Sequence, residues 1–146
     1  MAIKTFRGLV AHGGQDTIVL HTNTGSTGYR IVKFEMMQPE PGIQENENIF
    51  KIYKVSQSTI TGTIDFSDNT LIAAGNMTGA SSGRYVVNST IIFDQEIFNQ
   101  DIYITQFDAD GNNGTCNYYL ELEQVKLDLN QNTVATLKDI RNVTAP

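Results

Sequence analysis

Of the 146 residues, one is cysteine, none is tryptophan, two are histidine and three are proline. A lone thiol, Cys116, closes no intramolecular disulfide, so stability must come from apolar burial and strand pairing. His12 and His21 lie far from any Cys/His spacing that holds zinc, and no metal or cofactor is expected. Positive charge is also scarce: 10 basic residues against 16 acidic ones leave a net charge of −6. The cations Lys51, Lys54, Lys126, Lys138 and Arg141 are separated by acids or apolar residues, which argues against a nucleic-acid partner, since phosphate backbones are gripped by clustered cations. No apolar run approaches the ~20 residues that cross a bilayer. "MAIKTFRGLVAHGG" has no apolar core of signal-peptide length, so cytosolic synthesis is expected and a membrane partner is not.

What the chain does have is alternation. "RIVKFEM" sets Val32, Phe34 and Met36 on one face and Ile31, Lys33 and Glu35 on the other, the pattern of a strand with one buried side. "IFKIYKV" is apolar on both faces, with Ile49, Tyr53 and Val55 opposite Phe50 and Ile52, and reads as an inner strand or one covered by a neighbouring subunit. "TIVLH", "STIIF" and "DIYITQF" are further β-branched runs. In "NYYLELEQVKLDL" the apolar parity switches between Leu122 and Val125. A β-bulge near Glu123 and Gln124 is predicted, or else a crossing from one sheet to another. "QPEPGIQENEN" and "AGNMTGASSGR" are long connections rich in turn residues. Only "NTVATLKDIRN" has helical spacing, and the same residues suit an extended arm. The prediction is all-β: one antiparallel β-sandwich over residues 1–146, jelly-roll-like, with arms at 1–16 and 130–146 and at most one short C-terminal helix. A barrel is the alternative.

The motifs that suggest chemistry fail on context. "DADGNNGT" places Asp108, Asp110 and Asn112 at the first positions of a calcium loop, but Asn113 stands where glycine is needed and Tyr119 where the bidentate glutamate belongs. Its flanks read as strands, so a hairpin turn is the better reading, with weak calcium binding at Asp108 and Asp110 left open. "GASSG" matches a nucleophile elbow around Ser81, yet both histidines lie upstream and no helix pattern follows. Glu121 and Glu123 share a strand face and invite a glycosidase reading, without the partner groups that chemistry needs. Sequons at Asn76, Asn88, Asn113 and Asn142 are what an Asn- and Thr-rich chain produces by chance. No enzyme is expected.

From Ile91 onward the chain resembles small virion structural proteins of tailed bacteriophages of marine bacteria, most clearly in "IFNQDIYIT", "CNYYLELE" and "LNQNTVATLKDIRN". The resemblance implies a capsid- or tail-associated role with no catalytic residues to carry over. The expectation is a capsid decoration or cement protein on the virion surface, bound to the major capsid protein. It is expected to assemble as a homo-oligomer, a trimer in the first instance, and to touch its partners through Ile3, Phe6, Pro39, Pro41, Ile43, Leu137 and Ile140. A tail or neck adaptor is one alternative. Another is a carbohydrate-binding sandwich stacking sugars on Tyr29, Tyr53, Tyr85, Tyr103, Tyr118 and Tyr119.

Overall fold

A computed structural model describes residues 2–22, 26–41, 45–79, 87–93 and 95–127. These form eight strands: β1 (Ile3–Val10), β2 (Gly14–Ile18), β3 (Thr27–Met37), β4 (Asn46–Tyr53), β5 (Leu71–Gly79), β6 (Val87–Ile92), β7 (Ile102–Asp108) and β8 (Cys116–Lys126). No helix occurs among the described residues. The strands divide into a three-stranded sheet, β1-β8-β3, and a five-stranded sheet, β2-β7-β4-β5-β6. Every pairing is antiparallel. The partners nest, β1 with β8, β2 with β7 and β4 with β5, as in a jelly roll, but β6 pairs with β5 in the larger sheet instead of with β3, so the connectivity is jelly-roll-like. The C-terminal helix or arm expected over 130–146 lies outside the described residues.

Alternation explains the two layers. Ile31, Phe34 and Met36 of β3 and Tyr118, Leu120 and Leu122 of β8 face Phe50 and Ile52 of β4 and Ile102 and Ile104 of β7 in one buried cluster. Phe50 sits at its centre, with the rings of Phe34 and Tyr118 edge-on at 5.8 and 6.2 Å. Opposite them β5 contributes small residues. A Cβ on Gly75 would lie 2.9 Å from Met36 Cε, so the bare glycine gives that methionine room against the strand.

Two expectations need correction. The irregularity assigned to β8 is on its partner: β8 pairs through Glu123 and Gln124 without a shift, and the register breaks in β3 between Ile31 and Lys33. Val32 is the extra residue. It lets Ile31 and Phe34, which have opposite parity, both point inward, so Ile31 is buried where outward placement was expected. The β7–β8 connection is no hairpin either, because β7 and β8 lie in different sheets. Gly111 and Asn113 do take positive φ, 88° and 53°, but they carry the chain from one layer to the other.

The doubly apolar strand β4 is the middle of the larger sheet. Its outer face is covered by the chain's own connection 54–70. Lys51 Nζ donates to the Thr63 carbonyl at 2.7 Å, and Gly62 packs so closely that a Cβ there would meet Ile49 and Phe107 at 3.1 Å. The cover is held in shape by two short turns, in which Asp65 accepts from the Ser67 amide and hydroxyl and Asp68 from those of Thr70.

Candidate interaction surface

The groups that looked chemical are occupied in holding the sandwich together. Asp108, 2% exposed, accepts from the Glu47 and Asp110 amides on Oδ1 and from the Gly114 amide on Oδ2. Its own amide donates to His12 Nδ1 at 2.9 Å, which fixes that ring as an acceptor at Nδ1. Asp110 turns to Asn112, whose amide also donates to the Glu45 carbonyl. Asp108 and Asp110 are therefore each engaged by different donors. Among the described residues no three His, Cys, Asp or Glu side chains come together as a metal site. At the other end of β7, Asp101 accepts from the Leu20 and His21 amides and the His21 ring. Burial works to raise its pKa, but those bonds outweigh it and hold the carboxyl below the usual range. Cys116 is buried with its thiol pushed up to about 12 by desolvation, which makes it unreactive. Ser81 lies outside the described residues.

The outer face of the five-stranded sheet is roofed at its centre, whereas no described segment packs over the outer face of the three-stranded sheet. Register sets its rows: Ile3–Glu123–Arg30, Thr5–Glu121–Lys33, Arg7–Tyr119–Glu35 and Leu9–Asn117–Met37. Arg30 donates through Nε and Nη2 to Glu123 Oε2 at 3.0 and 2.7 Å. This pair disposes of the two-carboxylate reading of Glu121 and Glu123, since Glu123 is neutralised by Arg30 and Glu121 accepts from the Tyr119 hydroxyl at 2.7 Å. That bond is also the main reason the Tyr119 pKa is raised. Lys33 lies 5.9 Å from the Tyr119 ring centroid and 3.9 Å from Glu35. Three cations (Arg7, Arg30, Lys33) thus meet three carboxylates (Glu35, Glu121, Glu123) on one face. The face is electrically balanced in a chain of net charge −6. Around the balanced centre stand Ile3, Leu9 and Met37, exposed by 50%, 54% and 64%.

The predicted contact residues are scattered over this frame. Ile3 is on the open face, whereas Phe6 points the other way and packs, partly buried, against the core. Pro39 and Pro41 are exposed in the connection after β3. Ile43, Leu137 and Ile140 lie outside the described residues. Leu9 and Met37 were missed, although the spacing of Ile3, Thr5, Arg7 and Leu9 on one side of β1 was there to be read. The tyrosines do not make a stacking platform: Tyr29, Tyr53 and Tyr118 are buried. Tyr103 and Tyr119 sit on the outer faces of different sheets, and Tyr85 lies outside the described residues. A scan against protein-family models finds no match to this chain, and a search of curated proteins finds none either.

Proposed function

We propose that the protein is a virion structural component of a tailed phage, a decoration or cement protein that binds the outer shell and ties major capsid subunits together. The observation that carries the reading is the open face of β1-β8-β3, where Ile3, Leu9 and Met37 are exposed around a charge-balanced centre. Leu9 and Met37 flank Asn117 at one end of this face and Ile3 stands at the other, and exposed apolar side chains on an uncovered sheet face favour docking. Its balanced charge removes the repulsion that an acidic domain would otherwise meet at an acidic partner. The resemblance of residues 91–142 to phage virion proteins supplies the identity of the partner, and the jelly-roll-like connectivity suits a rigid building block. Mechanistically, such a protein needs no reactive group. Many copies, each burying a modest area between neighbouring subunits, hold a lattice far more firmly than one contact does.

The test is binding of the purified protein to undecorated capsids, measured by co-sedimentation, with Leu9→Glu and Met37→Glu as variants. Capsid binding that both variants abolish supports the reading, and absence of binding by the wild type sinks it. Quantitative mass spectrometry of particles separates shell from neck: on the order of hundreds of copies for a shell protein, roughly a dozen for a neck adaptor.

A further inference from the structure

Among the described residues the two sheets end at four strands: β1 and β3 in the smaller sheet, β2 and β6 in the larger. An unpaired strand edge invites another strand, and natural proteins guard such edges with charge, brevity, bulges or a covering segment. Three of these four are guarded. Strand β1 carries Lys4 and Arg7, both exposed. Strand β2 has only five residues, Asp16 among them. Strand β3 carries Arg30, Lys33 and Glu35 and has the bulge at Val32, and its Tyr29 is bridged by Phe98. Among the described residues, strand β6, "VNSTII", has neither a charge nor a bulge to guard it. Its six residues include no charge, proline or glycine, and its pairing with β5 runs without a shift from Val87 opposite Thr78 to Ile92 opposite Ala73. Val87 and Ile91 are exposed by 62% and 46%.

We infer that β6 is a self-association edge: two copies of the chain pair β6 to β6, antiparallel about a twofold axis, and join their larger sheets into one. The occupant follows from charge and symmetry. Two chains of −6 repel each other, and β6 is the one sheet edge among the described residues that carries no charge, so two copies meet there without like charges across the ladder in any register. Antiparallel pairing of a strand with itself is isologous, so it closes at two copies and uses up the unguarded edge, whereas head-to-tail pairing with another edge leaves β6 open and propagates. This surface is separate from the open face of β1-β8-β3, so it stands or falls independently of the capsid reading.

The experiment is sedimentation velocity over ~1–100 µM, the range in which a small interface shows its mass action. The full-length chain is compared with Ser89→Lys, which puts a cation at an exposed edge position, and with Leu9→Glu on the open face. The expected result is a wild-type dimer, a dissociation constant raised at least ~10-fold by Ser89→Lys, and no change for Leu9→Glu. Hydrogen exchange on the wild type gives a second readout that requires no variant to fold: the β6 amides slow with rising concentration while those of β1 do not. A wild type monomeric at ~100 µM, an oligomer that Ser89→Lys leaves intact, or concentration-dependent protection confined to β1, β8 and β3 each overturns the inference.

Discussion

The two ends of the core are built from different chemistry, and the same change occurs along three strands. Inward from one end, β3 offers Ile31, Phe34 and Met36, β4 offers Ile52 and Phe50, and β7 offers Ile102 and Ile104. At the other end the inward positions become Gln38, just beyond β3, then Asn48 and Asn46 of β4, and Gln106 and Asp108 of β7, all of them buried. The apolar end is held by non-directional burial, which stabilises the sandwich but tolerates any connection that keeps the faces together. The polar end is directional. Gln106 Nε2 donates to the Val10 and Gly114 carbonyls and its Oε1 accepts from Asn48, while Asp108 gathers amides from the start of β4 and from its own loop. The apolar end therefore supplies stability, and the polar end specifies which layer the chain enters next. Within the polar end, bonding is uneven. Both amide atoms of Gln38 and of Asn46, and Asn48 Oδ1, are buried without a hydrogen-bond partner.

The strongest way to break the comparison is to empty the apolar end. Phe50→Ala removes a fully buried ring that two other aromatics pack against and should destabilise by about 3–5 kcal/mol, read as a lowered urea midpoint with an unchanged slope. Asp108→Ala tests the polar end. Three backbone amides lose their acceptor, and orphaned buried donors cost about 1–3 kcal/mol apiece, so a loss on the order of 3 kcal/mol is expected. Its signature differs from that of Phe50→Ala: exchange should accelerate first at the Glu47, Asp110 and Gly114 amides, ahead of global unfolding.

A smaller effect of opposite sign sharpens the contrast. Because neither amide atom of Gln38 has a partner, Gln38→Met keeps the chain length, removes two buried polar atoms and should stabilise by up to about 1 kcal/mol. Gly79 matters to this reading, since the Gln38 amide occupies the space where a Cβ on that glycine would stand. A loss of more than about 1 kcal/mol on Gln38→Met would mean that the amide is bonded and that the polar end is one satisfied network.

This division explains what the sequence disclosed. The strands and most of their faces were legible because alternation is local, and so was the sandwich that strands of this kind build; Ile31 was placed on the wrong face, and for β4 an inner position was one of two readings. Sheet membership was not legible. "DADGNNGT" has the residues of a hairpin turn, and positive φ at Gly111 and Asn113 serves a layer crossing equally well. The bulge was legible as a parity conflict but not its location, because Val32 gives way only where β3 must match β8. The open face was hidden for a different reason. Which outer face is free depends on where the connection 54–70 folds, and its polar composition carries no sign that it roofs β4. Ile3 was read as a contact residue and Leu9 and Met37 were not, because their grouping exists only across the paired strands.

The smallest predicted effect compares the aspartates at the two ends of β7. Both clamp backbone amides, but Asp108 is almost wholly buried while the Asp101 side chain is 21% exposed beside His21. A carboxyl held below its ordinary value takes up its proton first in the unfolded chain. Its contribution is therefore complete above the unfolded value of about 3.9 and is lost as pH falls through the lower folded value. The wild type should lose stability on acidification across that window. Asp101→Asn keeps an oxygen for the Leu20 and His21 amides but has no proton to take up there, so its acid slope should be shallower. Solvent screening at an exposed site keeps the difference small, well under the effect of Asp108→Ala at neutral pH. Parallel urea midpoints measured from pH 6 to pH 3 would reveal it as a gap between the two proteins that narrows as the acid limit is reached. A constant gap would mean that the Asp101 carboxyl is not held below its ordinary value in the folded protein.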